Sequence, residues 1–392
     1  MTSAPAGASR VLIVTQQLRG TRSGVGRYAR ILVEELAGRG VPLTIATWSD
    51  ETDPESFPNC DWLPLGKRPG WDPTPGGFLA LGGRLRAAIA RATLAVDVVF
   101  FTDAREAARF LRQPRPLPEA RLVGTVHDDY AAKAPGGPLG FVGRARDPLR
   151  RWAYYRWLAR LERRTYPVFD ALMVNAHATA DSVARVYGMD RSDFQVVPLC
   201  DAAAPPSEAR PAPLTGEPAL LFAGGNFYRK GLDVLIRALS AVRAQFPGVH
   251  LHVAGHDPGQ RRLERLAASC GVAAHLTFHG RVGRAQMDAL MHGADQFVMP
   301  SRTEALGLVY LEAMQAGTPV ISGDEGGVVE VVRHAESGLN VPVEDPDALA
   351  AAICRVAAEP DLAARLVAGG RTVAAGRTPA KLAEATLDVL FG

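Results

Sequence analysis

QFVMPSRTEALGLVYLEAMQAGTPVI, residues 296–321, decides how the fold is read. An apolar run ends at Met299-Pro300, and a polar loop follows. A helix-patterned stretch then stops at Gly317, and Thr318-Pro319 leads into a second apolar run. Strand, loop, helix, glycine stop and strand in this order make the repeating unit of a parallel sheet. The stretch also holds two glutamates, Glu304 and Glu312. On one continuous helix they would stand about 12 Å apart along the axis and roughly 80° apart in azimuth, a poor pair. If the chain turns at Ala305-Leu306-Gly307 and the helix starts near Leu308, both can face one pocket.

The same grammar extends in both directions. Apolar runs at 219–224, 250–255, 276–280 and 319–323 alternate with helical stretches in the second half of the chain. Runs at 11–15, 42–47, 96–101, 121–126, 171–175 and 194–198 do so in the first half. Alternating β and α segments predict doubly wound parallel sheets. Residues 202–218, AAAPPSEARPAPLTGEP, are too rich in Pro, Ala and charge to pack a core and read as a linker. The expected α/β architecture is two Rossmann-like domains facing a central cleft, 1–203 and 219–375, joined by 204–218. A terminal helix at 376–392 is expected to pack back on the first domain. The Pro-, Gly- and Trp-containing segment 48–77 reads as a long loop.

The chain has 392 residues, 47% hydrophobic and 22% charged, which suits a globular protein of two domains. A net charge of +3 is too small to argue for nucleic acid. Cys60, Cys200, Cys270 and Cys354 are widely spaced without a C-x-x-C pair, and imply free thiols in a reducing compartment. No signal-peptide core and no membrane-length apolar run is present, so the expected location is cytoplasmic. The Arg- and Trp-bearing stretch 144–164 fits either an anionic membrane surface or packing on its own domain. Because its aromatics and arginines are not segregated, packing is favoured over membrane contact.

Four places carry chemistry. GTRSGVGRYA (20–29) follows the first strand, where a Gly-rich turn admits close backbone approach and a helix start favours anions. Its spacing is not that of a dinucleotide site, and a plain tight turn fits it as well. Arg229-Lys230-Gly231, after the strand 219–224, puts two cations where a diphosphate would sit; a solvated basic turn is the alternative. His127, in TVHDDY, stands at another strand end, with Asp128 and Asp129 beside it. In the opening stretch, the backbone at Gly307-Leu308-Val309 begins a helix and suits phosphate oxygens. Glu304 and Glu312 would then accept hydroxyls from two parts of one ligand.

Together these stretches resemble the retaining glycosyltransferases of family four, which have the GT-B fold. The resemblance runs through nearly the whole chain, from SGVGRYARILVEELAGRG through TVHDD and LLFAGGNFYRKGLDVLIRAL to MPSRTEALGLVYLEAMQAGTPVISGDEGGVVEVV. It implies that Arg229 and Lys230 neutralise the diphosphate of a nucleotide-sugar donor, a UDP-sugar favoured over GDP-mannose. It also implies that Glu304 contacts the sugar hydroxyls, that Leu306, Gly307, Leu308 and Val309 offer backbone groups, and that Glu312 holds the ribose. Arg281 and Val282 would touch the base, Gly24 the phosphates, and His127 the sugar, with no metal or organic cofactor. The acceptor implied is a polysaccharide, glycolipid or small secondary metabolite; for an aminocyclitol, Asp128 and Asp129 would meet its ammonium groups. Three positions depart from the family pattern: Gly225 where many members have Arg, Leu306 where Phe is usual, and PLCD (198–201) where PNG is usual.

Overall fold

The computed structural model describes residues 9–19, 24–68, 75–92, 94–128, 148–200 and 213–392. The chain divides into two compact units, Met1–Leu199 with Pro379–Gly392, and Cys200–Thr378.

The first unit contains strands β1 (Val11–Val14), β2 (Leu43–Thr47), β3 (Asp61–Pro64), β4 (Val98–Phe101), β5 (Arg121–Val126), β6 (Ala171–Val174) and β7 (Phe194–Val196). Its helices are α1 (Gly24–Gly38), α2 (Pro75–Ile89), α3 (Pro148–Thr165) and α4 (His177–Tyr187). All strand pairs are parallel, in the order β3-β2-β1-β4-β5-β6-β7. β1, β4 and β6 are buried along their whole length, as strands covered on both faces must be. That is why they read as unbroken Val, Ile, Leu and Phe rather than as alternating patterns. In α1, Tyr28, Ile31, Leu32 and Leu36 are buried.

The second unit contains β8 (Ala219–Ala223), β9 (His250–Ala254), β10 (Leu276–Gly280), β11 (Gln296–Met299), β12 (Val320–Gly323) and β13 (Leu339–Val341). Its helices are α5 (Leu232–Gln245), α6 (Gln260–Ser269), α7 (Arg284–Gly293), α8 (Leu308–Ala316), α9 (Pro346–Ala358) and α10 (Pro360–Ala375). The sheet is again parallel, in the order β10-β9-β8-β11-β12-β13. Helix α11 (Pro379–Phe391) belongs to the first unit, where it buries Leu382, Ala383 and Leu390. Arg39, just past α1, donates to its Ala380 carbonyl at 2.8 Å.

Two strands went unread in the sequence. The segment expected as a long loop at 48–77 contains β3, whose four residues pair in parallel with β2 at the sheet edge. Pro64 is tolerated at such an edge, where it leaves no neighbour unbonded. β13 is three residues long and closes the other sheet. Helix α10 ends at Ala375, and the first unit resumes at Pro379. At the end of the expected linker, 213–218 packs on the second unit: Leu214 N–H donates to Gly293 O at 3.0 Å and Glu217 bridges Gly248. Among the described residues no helix is long and apolar enough to cross a membrane.

In each sheet the strand order reverses beside its first strand, between β1 and β4 and between β8 and β11. Open α/β sheets bind ligands at the carboxyl ends of such neighbours. Arg229-Lys230 follows β8, and Glu304 follows β11.

Candidate functional site

The turn after β8 is shaped by glycines. Gly224 has φ +139°, and a Cβ there would lie 2.7 Å from both Cδ and Cε of Lys230. The missing side chain is what lets the lysine stem cross the backbone. Gly231, at φ +74°, precedes α5, and a Cβ there would fall 2.0 Å from the carbonyl oxygen of Pro300. Only glycine allows the two loops to touch main chain to main chain. Between them Asn226 accepts from the Arg229 N–H at 3.3 Å, and Asp257 accepts from the Phe227 N–H at 3.0 Å.

The loop after β11 meets this turn. Glu304 is 9% exposed. Its carbonyl accepts the Gly327 N–H at 2.8 Å, and a Cβ on Gly326 would come within 2.4 Å of that oxygen. The backbone of Glu304 is thus pinned by the glycines after β12, while its carboxylate reaches the turn after β8. Lys230 Nζ donates to Glu304 Oε2 at 2.8 Å, and Arg229 stands 3.4 Å from the same oxygen. Arg229 also donates to the Thr303 carbonyl at 3.0 Å. Two cations therefore converge on one largely desolvated carboxylate.

Helix α8 starts after Gly307, which has φ +82°. A Cβ there would collide with the Tyr310 ring at 2.6 Å. The Tyr310 hydroxyl donates to Met299 O at 2.8 Å and fastens the helix to the end of β11. The helix start expected near Leu308 is where the structure has it. The first N–H groups of a helix lack intrahelical acceptors, and its dipole favours an anion there. Leu306 is buried, Leu308 and Val309 are half-buried, and Glu312 is half-buried in α8. Arg281 (exposed) and Val282 (half-buried) follow β10, two strands out from β8, and are not brought to the Lys230–Glu304 pair by any described bond.

In the first unit, Gly24 is the exposed first residue of α1. His127 follows β5, and its Nε2 lies 2.6 Å from the Thr102 carbonyl. A carbonyl only accepts, so Nε2 carries the proton and Nδ1 keeps its lone pair. Tyr28 packs edge-on against the imidazole at 5.0 Å. Burial holds the His127 pKa below its ordinary value, against the opposing pull of Asp103. Asp128 is half-buried, and Asp129 lies outside the described residues.

Sequence reasoning missed two groups. Asp103, Arg105 and Glu106 follow β4 and are buried. Arg105 Nε donates to Asp103 Oδ1 at 2.7 Å, and Glu106 Oε1 accepts the Gln16 N–H at 3.2 Å. Burial first, and Asp103 second, push the Glu106 carboxyl well above its ordinary range. The signal available was a charged cluster directly after an apolar strand. The other group is Arg302, 5% exposed in the same loop as Glu304.

The two halves of the chain match two family profiles. "Glycosyltransferase Family 4" covers residues 22–200 and "Glycosyl transferases group 1" covers residues 207–373. A glycogen synthase of Mycobacterium tuberculosis is 29% identical over 367 residues, 89% of this chain and 86% of its own. A GDP-mannose-dependent alpha-(1-6)-phosphatidylinositol monomannoside mannosyltransferase of the same species is 41% identical over 150 residues, 36% of this chain and 39% of its own. Among solved structures, the sucrose-phosphate synthase of Thermosynechococcus elongatus superposes with a TM-score of 0.75 at 22% identity, over 97% of this chain and 98% of that one. With two parallel α/β sheets of GT-B type and both profiles in order along it, the chain belongs to the family-four glycosyltransferases, which use a nucleotide-sugar donor.

Proposed function

We propose that this protein moves a hexosyl or amino-hexosyl unit from a nucleoside-diphosphate sugar to an acceptor hydroxyl, with retention of configuration and without a metal. The observation that carries this reading is the meeting of Lys230 and Arg229 with Glu304 at adjacent strand ends, just before the start of α8. Two cations and a helix start suit a diphosphate. A carboxylate, which can only accept, suits sugar hydroxyls. In this assignment Arg229, Lys230 and the backbone of Leu306, Gly307, Leu308 and Val309 hold the donor phosphates and sugar. Glu304 reads the sugar, Glu312 the ribose, and Arg281 with Val282 the base. The first unit supplies Gly24 for the phosphates, His127, whose Nδ1 accepts a sugar hydroxyl, and Asp128 with Asp129 for the acceptor.

The bond between the anomeric carbon and the phosphate oxygen breaks first. The electron pair leaves on the diphosphate, where Arg229, Lys230 and the helix start stabilise it. The acceptor oxygen bonds to the anomeric carbon on the face just vacated, and its proton passes to the departing phosphate. UDP-hexoses and GDP-mannose are the donors to compare, the second supported by the GDP-mannose dependence of the mannosyltransferase relative. Acceptors in scope are a polysaccharide, a glycolipid or a small secondary metabolite.

A thermal-shift screen over UDP- and GDP-sugars tests the donor, because a ligand of the folded state raises apparent stability. Product analysis with the stabilising donor then tests the chemistry. A glycoside of retained configuration is expected, formed equally well in EDTA. Epimer or free sugar as the sole product, with every acceptor tried, would overturn the reading.

A further inference from the structure

The Arg302 guanidinium is bonded to Asp233, Glu344 and the Tyr228 carbonyl, groups other than the Lys230–Glu304 pair. Its NH1 and NH2 grip Asp233 at 2.8 and 2.9 Å in a two-pronged contact. NH1 also donates to the Tyr228 carbonyl, and Nε donates to Glu344. The guanidinium carbon lies 3.9 Å from the Tyr228 ring centroid, so the plane is stacked as well as bonded. Finally, the Arg302 backbone N–H donates to the Arg229 carbonyl at 2.9 Å. One residue thus joins four segments: its own loop after β11, the cation turn after β8, the first turn of α5 and the loop after β13.

The side chains alternate in function along this loop. Arg302 holds the carbonyls and the acidic residue behind the cation turn, and Glu304, two residues on, receives the ammonium and guanidinium in front of it. Arg302 is therefore bonded to both residues that precede Lys230 in the cation turn, Tyr228 and Arg229. Burial opposes the guanidinium charge, and the two carboxylates outweigh that cost. Arginine is required for this work. A lysine has one point of charge and no plane, so it cannot grip both oxygens of Asp233, bond Glu344 and stack on Tyr228 together.

We propose that Arg302 is a positioning residue for sugar transfer, which sets the cation turn in register with the glutamate loop without touching substrate. This rests on the donor-site reading above. A residue that only stabilised the fold would lower the melting temperature and leave turnover intact at temperatures where the protein is folded. A positioning residue acts on turnover more than on binding. The transition state places more charge on the diphosphate than the ground state does, and misplacement of the groups that meet that charge is felt most there.

The test compares Arg302→Lys, Asp233→Asn and Lys230→Ala with the wild type in the full chain. Nucleotide affinity is measured by calorimetry with UDP or GDP, whichever the wild type binds more tightly. Turnover is measured with UDP-glucose or GDP-mannose, whichever the wild type consumes faster. Arg302→Lys is expected to keep its far-UV spectrum, to bind the nucleotide within about threefold of wild type, and to lose about tenfold or more in kcat. Asp233→Asn should show the same split at smaller size, and carries the test if Arg302→Lys does not fold. Turnover within about twofold of wild type in the folded variants, or a fall in kcat matched by an equal fall in affinity, overturns the proposal. Lys230→Ala separates the two levels. If it too retains turnover, the donor-site reading fails; if it alone is dead, only the role of Arg302 fails.

Discussion

Lys230 and Glu304 are 74 residues apart in the chain and 2.8 Å apart in space. They meet because β8 and β11, which they follow, are neighbours at the point where the sheet reverses its strand order. Both side chains are about nine-tenths covered. Removing Glu304 takes the shared carboxylate from two largely buried cations, at a cost of about 3 kcal/mol, whereas removing Lys230 leaves Glu304 with Arg229 3.4 Å away. Glu304→Ala also leaves Arg229 and Lys230 facing each other. Both Lys230→Ala and Glu304→Ala should lower kcat by about 100-fold or more while the far-UV spectrum persists. Near wild-type turnover in either would remove these residues from the donor site.

The glycines make a sharper structural test. Gly224→Ala puts a methyl 2.7 Å from two carbons of the Lys230 stem at a φ that L-residues avoid. The stem can move, so the protein should fold, less stable by about 1–3 kcal/mol, with the lysine displaced and donor turnover reduced. Gly231→Ala puts its methyl 2.0 Å from a main-chain oxygen, which cannot move alone. Its loss of stability in urea unfolding should exceed that of Gly224→Ala. The reverse order would contradict the described backbone.

His127 should act as a neutral acceptor. Its proton sits on Nε2, bonded to Thr102 O, and burial depresses its pKa below 6.5. The neutral form therefore persists at neutral pH, and any His127-dependent loss of activity belongs on the acid side, below 6.5. His127→Ala should lose about tenfold in turnover and lose that acid limb as well. A limb unchanged in the variant would assign it to another group.

Glu162 links the first unit to pH. It is fully buried at the inner face of α3 and accepts from the Tyr187 hydroxyl, and burial pushes its pKa up to about 7 from an ordinary 4.5. Between those values the folded state holds the proton more tightly than the unfolded chain does. The resulting stabilisation is fully present below about pH 4.5 and is lost as pH rises through about 7, a total of about 3 kcal/mol. Glu106 acts in the same direction, so the wild-type slope is a sum. Glu162→Gln, which cannot ionise, should flatten it. Urea unfolding from pH 5 to 8 should therefore show the variant gaining on the wild type as pH rises.

What could be read in advance depended on how local the cause was. Glu304, Lys230 and His127 were legible because each follows a short apolar strand and sits beside glycine or another polar residue, so position at a strand end follows from the pattern alone. The start of α8 was legible for the same reason, since Gly307 and Gly317 bracket it. Arg302 was not. Its burial depends on Asp233 and Glu344, 69 and 42 residues away, and a loop arginine carries no mark of such partners. β3 was hidden by its brevity: DWLP has a charged start, a proline end and no period to detect. The charged run after β4 carries no mark of enclosure in the sequence, and only packing shows that Asp103, Arg105 and Glu106 are buried.

Helix α11 has a consequence for the order in which this chain can assemble. It completes the first unit, with Thr386, Leu382, Ala383 and Leu390 in the interior, yet it is translated after all of Cys200–Thr378. During synthesis the unit that starts second can close first, while its predecessor waits on the ribosome with an apolar face uncovered. A stalled or clipped chain ending before Pro379 would therefore present a finished second unit attached to an unfinished first one, a natural client for chaperones and proteases.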